Sequence, residues 1–119
     1  MNIYTNKEIL YMKVIKIYSR DNKLKNNCNI NIPSEIQKRR NLKKGNYVGF
    51  SITDKHIYIY FDLNNPEIKF IRKLASKGKG FLSINIPKEI TCNKNIKKNT
   101  DILLYEFKDK IILKQLKKS

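Results

Sequence analysis

The chain has 119 residues, 40% of them hydrophobic, and carries 26 Lys and Arg against 10 Asp and Glu, a formal net charge of +16. That length suits one domain, and the apolar fraction is high enough for a core, so the charge does not mean disorder. No apolar run approaches the roughly 20 residues of a membrane span and no signal peptide is visible, so a cytoplasmic protein is expected.

Residues 1–12 form an N-terminal extension with no counterpart later in the chain. "KVIKIY" (13–18) alternates polar and apolar residues and predicts a half-buried strand. The basic loop "SRDNKLKNN" follows, then "CNINI" (28–32) alternates again. Pro33 ends that strand and suits the first position of a helix, where its missing N–H would be unpaired anyway. "PSEIQKRR" supports about two turns of that helix. Gly45-Asn46 marks a turn, and "YVGFSIT" and "HIYIYF" around "TDKH" predict a hairpin. "DLNNPE" opens a linker over 62–68. The series then restarts: "IKFIRKL" as strand, "ASKGKG" as basic glycine loop, "FLSINI" as strand and "PKEITCNK" as short helix. "ILLYEF" and "IILKQL" around "KDK" form a second hairpin.

The restart is a repeat. Residues 28–60 laid on 82–114 without a gap are identical at ten of 33 positions, "NINIPSEI" matching "SINIPKEI". The apolar positions agree best, so one structural unit is used twice. Each repeat is β-β-α-β-β, over 13–61 and 69–115. "VIK" (14–16) best matches "FIR" (70–72), at offset 56 rather than 54, which makes the first loop about two residues longer in repeat 1. A unit of this size is too small for a comfortable private core. The matched positions Ile30, Ile32, Val48, Ile57, Ile84, Ile86, Ile102 and Ile111 are therefore expected to line one shared core.

Cys28 and Cys92 stand at non-equivalent positions of the two repeats and read as free thiols. With one histidine, they cannot supply four protein ligands to zinc. His56 follows a turn at a strand start and suggests no catalytic role. No cofactor is expected. An enzyme is disfavoured, since the carboxylates are scattered and neither a nucleophile–base pairing nor a phosphate-binding glycine motif is present.

"SKGKGFLSINIPKEI…IKK…DILLYEFKDKIILK" resembles the SpoVT/AbrB family of swapped-hairpin DNA-binding domains, and the resemblance covers both repeats. That family pairs two single-copy chains, so two copies in one chain look like a covalent version of its dimer. The resemblance implies a mainly β fold with short helices, the two β-β-α-β-β repeats interlocked into one swapped-hairpin AbrB-like β-barrel. It also implies double-stranded DNA as partner, a nucleoid-associated location and a role in transcription regulation. At the family's DNA-contacting positions Lys23, Lys77 and Lys38 retain a basic residue, while Asn22, Ser76, Asn29, Ser83, Gln37, Thr91 and Cys92 do not. Arg39 and Arg40 follow Lys38, and Lys94 matches Arg40 at a position where the family usually has a buried leucine.

The candidate DNA-binding residues are Arg20, Lys23, Lys25, Lys38, Arg39 and Arg40 in repeat 1, and Arg72, Lys73, Lys77, Lys79 and Lys94 in repeat 2. Only four residues are Arg, and lysine acts as a point charge where arginine reads guanine edges, so backbone contacts are expected to dominate. The asparagines of the first loop could read adenine edges or serve turn chemistry. The open alternatives to a regulator are a sequence-tolerant architectural DNA-coating protein and an antitoxin-like interaction module. RNA binding through Tyr58 and Tyr60 is weaker. A plain Lys-rich solubility surface is the alternative to any polyanion partner, and further pairing of pseudo-dimers is left open.

Overall fold

The computed structural model describes residues 9–19, 28–76, 78, 80–94, 96–97 and 99–116. Nine strands and two short helices run along these residues. They are β1 (Tyr11–Lys16), β2 (Asn29–Asn31), α1 (Ser34–Arg40), β3 (Tyr47–Ile52) and β4 (Ile57–Tyr60) in repeat 1. Repeat 2 holds β5 (Phe70–Lys73), β6 (Ala75–Ser76), β7 (Leu82–Asn85), α2 (Lys88–Lys94), β8 (Asp101–Glu106) and β9 (Lys110–Gln115).

Local chemistry places most of the boundaries. Pro33 sits just outside α1 with an extended ψ of 142°, one position earlier than its φ alone suggests, and its carbonyl accepts from Ile36 and Gln37 N–H. Asn41 ends α1 in the left-handed conformation, which asparagine tolerates better than most residues. Gly45 and its repeat counterpart Asn99 both take positive φ, 93° and 70°, in the turn that leads into each hairpin. β1 starts at Tyr11, two residues before the expected boundary, so residues 11 and 12 belong to the strand and not to an extension.

The strand order is a palindrome. One antiparallel sheet runs β1-β8-β9-β4-β3-β5 and a second β2-β7-β6. Each repeat's first strand pairs with the other repeat's hairpin: β1 with β8, and β5 with β3. The two hairpins meet through β4 and β9, where Tyr58 pairs its own repeat counterpart Ile112. In the second sheet Ile30 likewise pairs its counterpart Ile84. An antiparallel ladder that puts a residue opposite its own equivalent has a local twofold axis there, the signature of an isologous interface. The two halves are related in this way twice over.

The first strands correct the repeat alignment. Ile17 N–H donates to Thr100 O and Ile17 O accepts from Asn99 N–H, while Leu74 N–H donates to Asn46 O and Leu74 O accepts from Gly45 N–H. Ile17 therefore matches Leu74, and Tyr18, bridged to Asn29, matches Ala75, paired to Ser83. The offset is 57 rather than 56, so the first loop is three residues longer in repeat 1. Side-chain likeness misled here because the exposed positions of these edge strands carry little packing information.

The inward faces of both sheets and Ile36 and Ile90 of the helices form one core that draws on both repeats. All eight repeat-matched residues expected there are buried, and Phe50, Ile59, Leu104 and Leu113 complete the six-stranded sheet's inner face. A smaller cluster of Tyr105, Phe107 and Ile112, with Ile9, Tyr58 and Leu103, lies on that sheet's other face. The linker closes onto the sheet at Ile68, whose side chain fills the space over Gly49 that any larger residue would need. Among the described residues the ladders form two open sheets and no closed barrel. Both cysteines are free, Cys28 buried and Cys92 exposed. Among the described residues no helix is long and apolar enough to cross a membrane.

Candidate nucleic-acid interface

The short β2–β7 ladder organises the basic loops. It has three residue pairs, about 7 Å of strand. The first loop (residues 19–28) enters it at Asn29 and the second (77–81) at Leu82. Asn29 pairs with Asn85 and Asn31 with Ser83, so the two entry points lie at opposite ends of the ladder, either side of its local axis. Arg20, Lys23, Lys25, Lys77 and Lys79 lie outside the described residues. Their loops are anchored on described pairs: Tyr18 to Asn29, and Ser76 to Leu82.

The interlocking adds a lysine set that sequence reasoning did not single out. The turn that follows α1, with exposed Lys43 and Lys44, is hydrogen-bonded through Gly45 and Asn46 to Leu74, immediately after Lys73. The matching turn with exposed Lys97 is bonded through Asn99 and Thr100 to Ile17, at the root of the first loop. Each basic turn is thus bonded to the end of the other repeat's first strand, at Leu74 and at Ile17. The signal was present in the identical Lys43/Lys97 pair, but the partner could not be read from one repeat alone.

Arg72 is half-buried and donates to its neighbour's carbonyl, Ile71 O, at 2.9 Å. Lys73 is exposed, with Nζ 5.4 Å from the Tyr47 ring centroid. Lys38 is exposed on α1.

The helix end behaves differently from expectation. Arg40 was expected to offer a free guanidinium, but its side chain is only 15% exposed. Its Nε donates to Glu106 Oε2 at 2.8 Å, and its terminal nitrogen donates to the carbonyls of Phe107 and, at 2.8 Å, Lys108. The Phe61 ring covers the guanidinium at 4.1 Å. Arg39 lies 3.4 Å from Glu106 Oε1, with its side chain 38% exposed. The Glu106 side chain is fully buried, and a buried carboxylate holds such cations tightly because its own desolvation is otherwise uncompensated. Glu106 was missed, although it occupies the core-facing parity of "ILLYEF", with Ile102 and Leu104. A charge at such a position demands a partner, and the partners are Arg39 and Arg40.

Lys94 makes the equivalent contact in the other direction. Its Nζ donates to Thr53 O, and Thr53 is the counterpart of Phe107. The end of each helix therefore latches the other repeat's hairpin turn. Lys94 is withdrawn from the free cations as Arg40 is. Among the asparagines proposed as adenine readers, Asn29 is buried and its side-chain oxygen accepts from Asn85 Nδ2 at 3.2 Å. Asn22, Asn26 and Asn27 lie outside the described residues.

His56 stands where the Thr53–His56 turn meets β4. Its burial, followed by the cations of Lys114, Lys94 and Lys55, pushes its imidazole below the ordinary histidine range. The folded state therefore prefers the neutral ring, so this contribution is present above the unfolded value, about 6.5, and is lost as pH falls through the folded one. Urea midpoints are expected to fall between pH 7.5 and 5.5, and His56→Gln to flatten that part of the profile; an unchanged profile in the variant rules the contribution out.

No protein-family model, no curated protein sequence and no solved structure matches this chain.

Proposed function

We propose that the chain is a double-stranded DNA-binding protein of the AbrB type, a covalent pseudo-dimer whose repeats interlock as swapped hairpins, acting in the cytoplasm on the nucleoid as a transcriptional regulator. The observation that carries the reading is the twofold pairing of Ile30 with Ile84, which sets Asn29 and Leu82, the first strand residues after the two basic segments, toward opposite ends of one short ladder in a chain of net charge +16. Loops related by such an axis can straddle one groove and grip phosphates on both sides. The contact set is Arg20, Lys23, Lys25, Lys73, Lys77 and Lys79, with Lys38 and Arg72 at its margin. Lys43, Lys44 and Lys97 join it from the neighbouring turns. Arg40 and Lys94 leave it, because the Arg40 guanidinium is held inside the fold on Glu106 and Lys94 Nζ is turned onto Thr53 O of the other hairpin.

The same clamp favours a second reading. With Arg40 held on Glu106 and Arg39 beside it, base readout rests on Arg20 and Arg72, so a sequence-tolerant DNA-coating role gains weight.

Binding to random and to enriched duplexes across a salt series tests both. With roughly six to eight phosphates neutralised, log K is expected to fall with log[salt] at a slope of about −5 to −7. Lys77→Ala with Lys79→Ala should flatten the slope by about 2 on every duplex. Enriched sites bound about a thousandfold or more above random select the regulator, and equal affinities select the coating role. A slope near zero sinks the DNA reading altogether.

A further inference from the structure

The two helix-end latches are not chemically equal. Around Arg40 the fold supplies its own counter-ion, Glu106, and a covering ring, Phe61. At the matching positions around Lys94 stand Ile52 and Gln115, neither of them an anion. A groove of about 850 Å³ opens beside Lys94, lined by the end of α2 and of β9 in repeat 2 and by the hairpin of repeat 1. Ile57, Ile96, Leu113 and Leu116 form its apolar lining, and Lys55, Lys94 and Lys114 its cationic rim, with Asp54 the one acid among its walls. Burial lowers the Lys94 ammonium below the ordinary lysine range, against the pull of Asp54. The imidazole of His56 is lowered as well, first by its burial and then by Lys114, Lys94 and Lys55.

We infer that this groove is a binding site for a small amphipathic monoanion, with a carboxylate head against Lys94 and its neighbouring lysines and an apolar body over Ile57, Ile96 and Leu113. Both parts of the ligand follow from the lining. The head does for Lys94 what Glu106 does for Arg40, and an apolar tail covers partly exposed Leu116 at the edge of the core formed by Ile57, Ile96 and Leu113. Pockets of this size that combine an apolar wall with a few convergent polar groups are the usual form of a small-molecule site. The inference stands independently of DNA binding, because it uses neither basic loop.

Octanoate, acetate and 1-octanol titrated into the full chain test it, with the single imidazole of His56 followed by proton NMR. Octanoate is expected to saturate at one equivalent and to raise the His56 pKa by screening the lysines. It should bind about a hundredfold tighter than acetate, since the tail adds buried methylenes. Octanol, lacking the head, should leave the His56 pKa unmoved. Lys94→Gln should weaken octanoate about tenfold. Ile52→Glu, which installs the carboxylate that the other latch possesses, should abolish the response, while Lys69→Ala, at an exposed lysine outside the groove, should retain it. Equal responses to acetate and octanoate, a Lys94→Gln chain that binds as the parent does, or an unmoved His56 resonance would each overturn the site. Lys94→Gln keeps the test decisive if Ile52→Glu fails to fold.

Discussion

Arg40→Ala is expected to destabilise the fold by about 3–5 kcal/mol, the range for removing one partner of a buried ion pair. The cost comes from what is left behind. Glu106 is fully buried, and without Arg40 its carboxylate keeps only Arg39, at 3.4 Å and more exposed. The carbonyls of Phe107 and Lys108 lose a donor at the same time, and Phe61 loses the cation it covers. Replacing both partners by apolar residues, Arg40→Met with Glu106→Leu, should recover most of the loss, because no charge is then stranded. Arg39→Ala alone should cost only about 1 kcal/mol or less, because Arg39 is the more exposed cation and Glu106 keeps Arg40. Urea denaturation of the four chains measures this. If Arg40→Ala unfolds at the parent's midpoint, the clamp does not stabilise the fold. DNA binding by an Arg39/Arg40 double variant would mix stability with contact, so Arg39→Ala alone is the cleaner probe of whether α1 touches DNA.

Separate chains of residues 1–65 and 66–119 are expected to show no cooperative unfolding as monomers, and to recover it on mixing. In the first fragment β1 loses β8, β2 loses β7 and β4 loses β9, which leaves the β3–β4 hairpin as its remaining ladder. A two-stranded hairpin is marginal alone. In the second fragment β5 loses β3 while β6–β7 and β8–β9 stay as separate short pairs. The core is divided as well, since Ile30 packs with Ile84 and Ile57 with Leu113 across the cut. Joining the halves replaces a bimolecular association by an intramolecular one at high effective concentration. Circular dichroism in urea with sedimentation decides the matter: a half that is monomeric and cooperatively folded would refute the shared core.

By itself the sequence determined the elements, because alternation, proline and glycine act on their immediate neighbours. "CNINI", "PSEIQKRR" and the two hairpins were legible to within a residue or two, as were the seven isoleucines and one valine of the expected core, since strand parity says which face is buried. The duplicated block also determined that the molecule has two related halves. Only the tertiary structure decided which strand meets which. Parity is the same whether β1 pairs with its own hairpin or with the other repeat's, so the swap leaves no mark on local pattern. The offset of 57 at Ile17 and Leu74 came from backbone hydrogen bonds, which side-chain likeness cannot register. The fate of Arg40 was hidden for the same reason. "QKRR" at a helix end reads as exposed positive charge until a carboxylate 66 residues away, on the inward face of β8, is brought against it. A charged residue's role is set by what desolvates it, and desolvation is a property of the assembled core rather than of any stretch of chain.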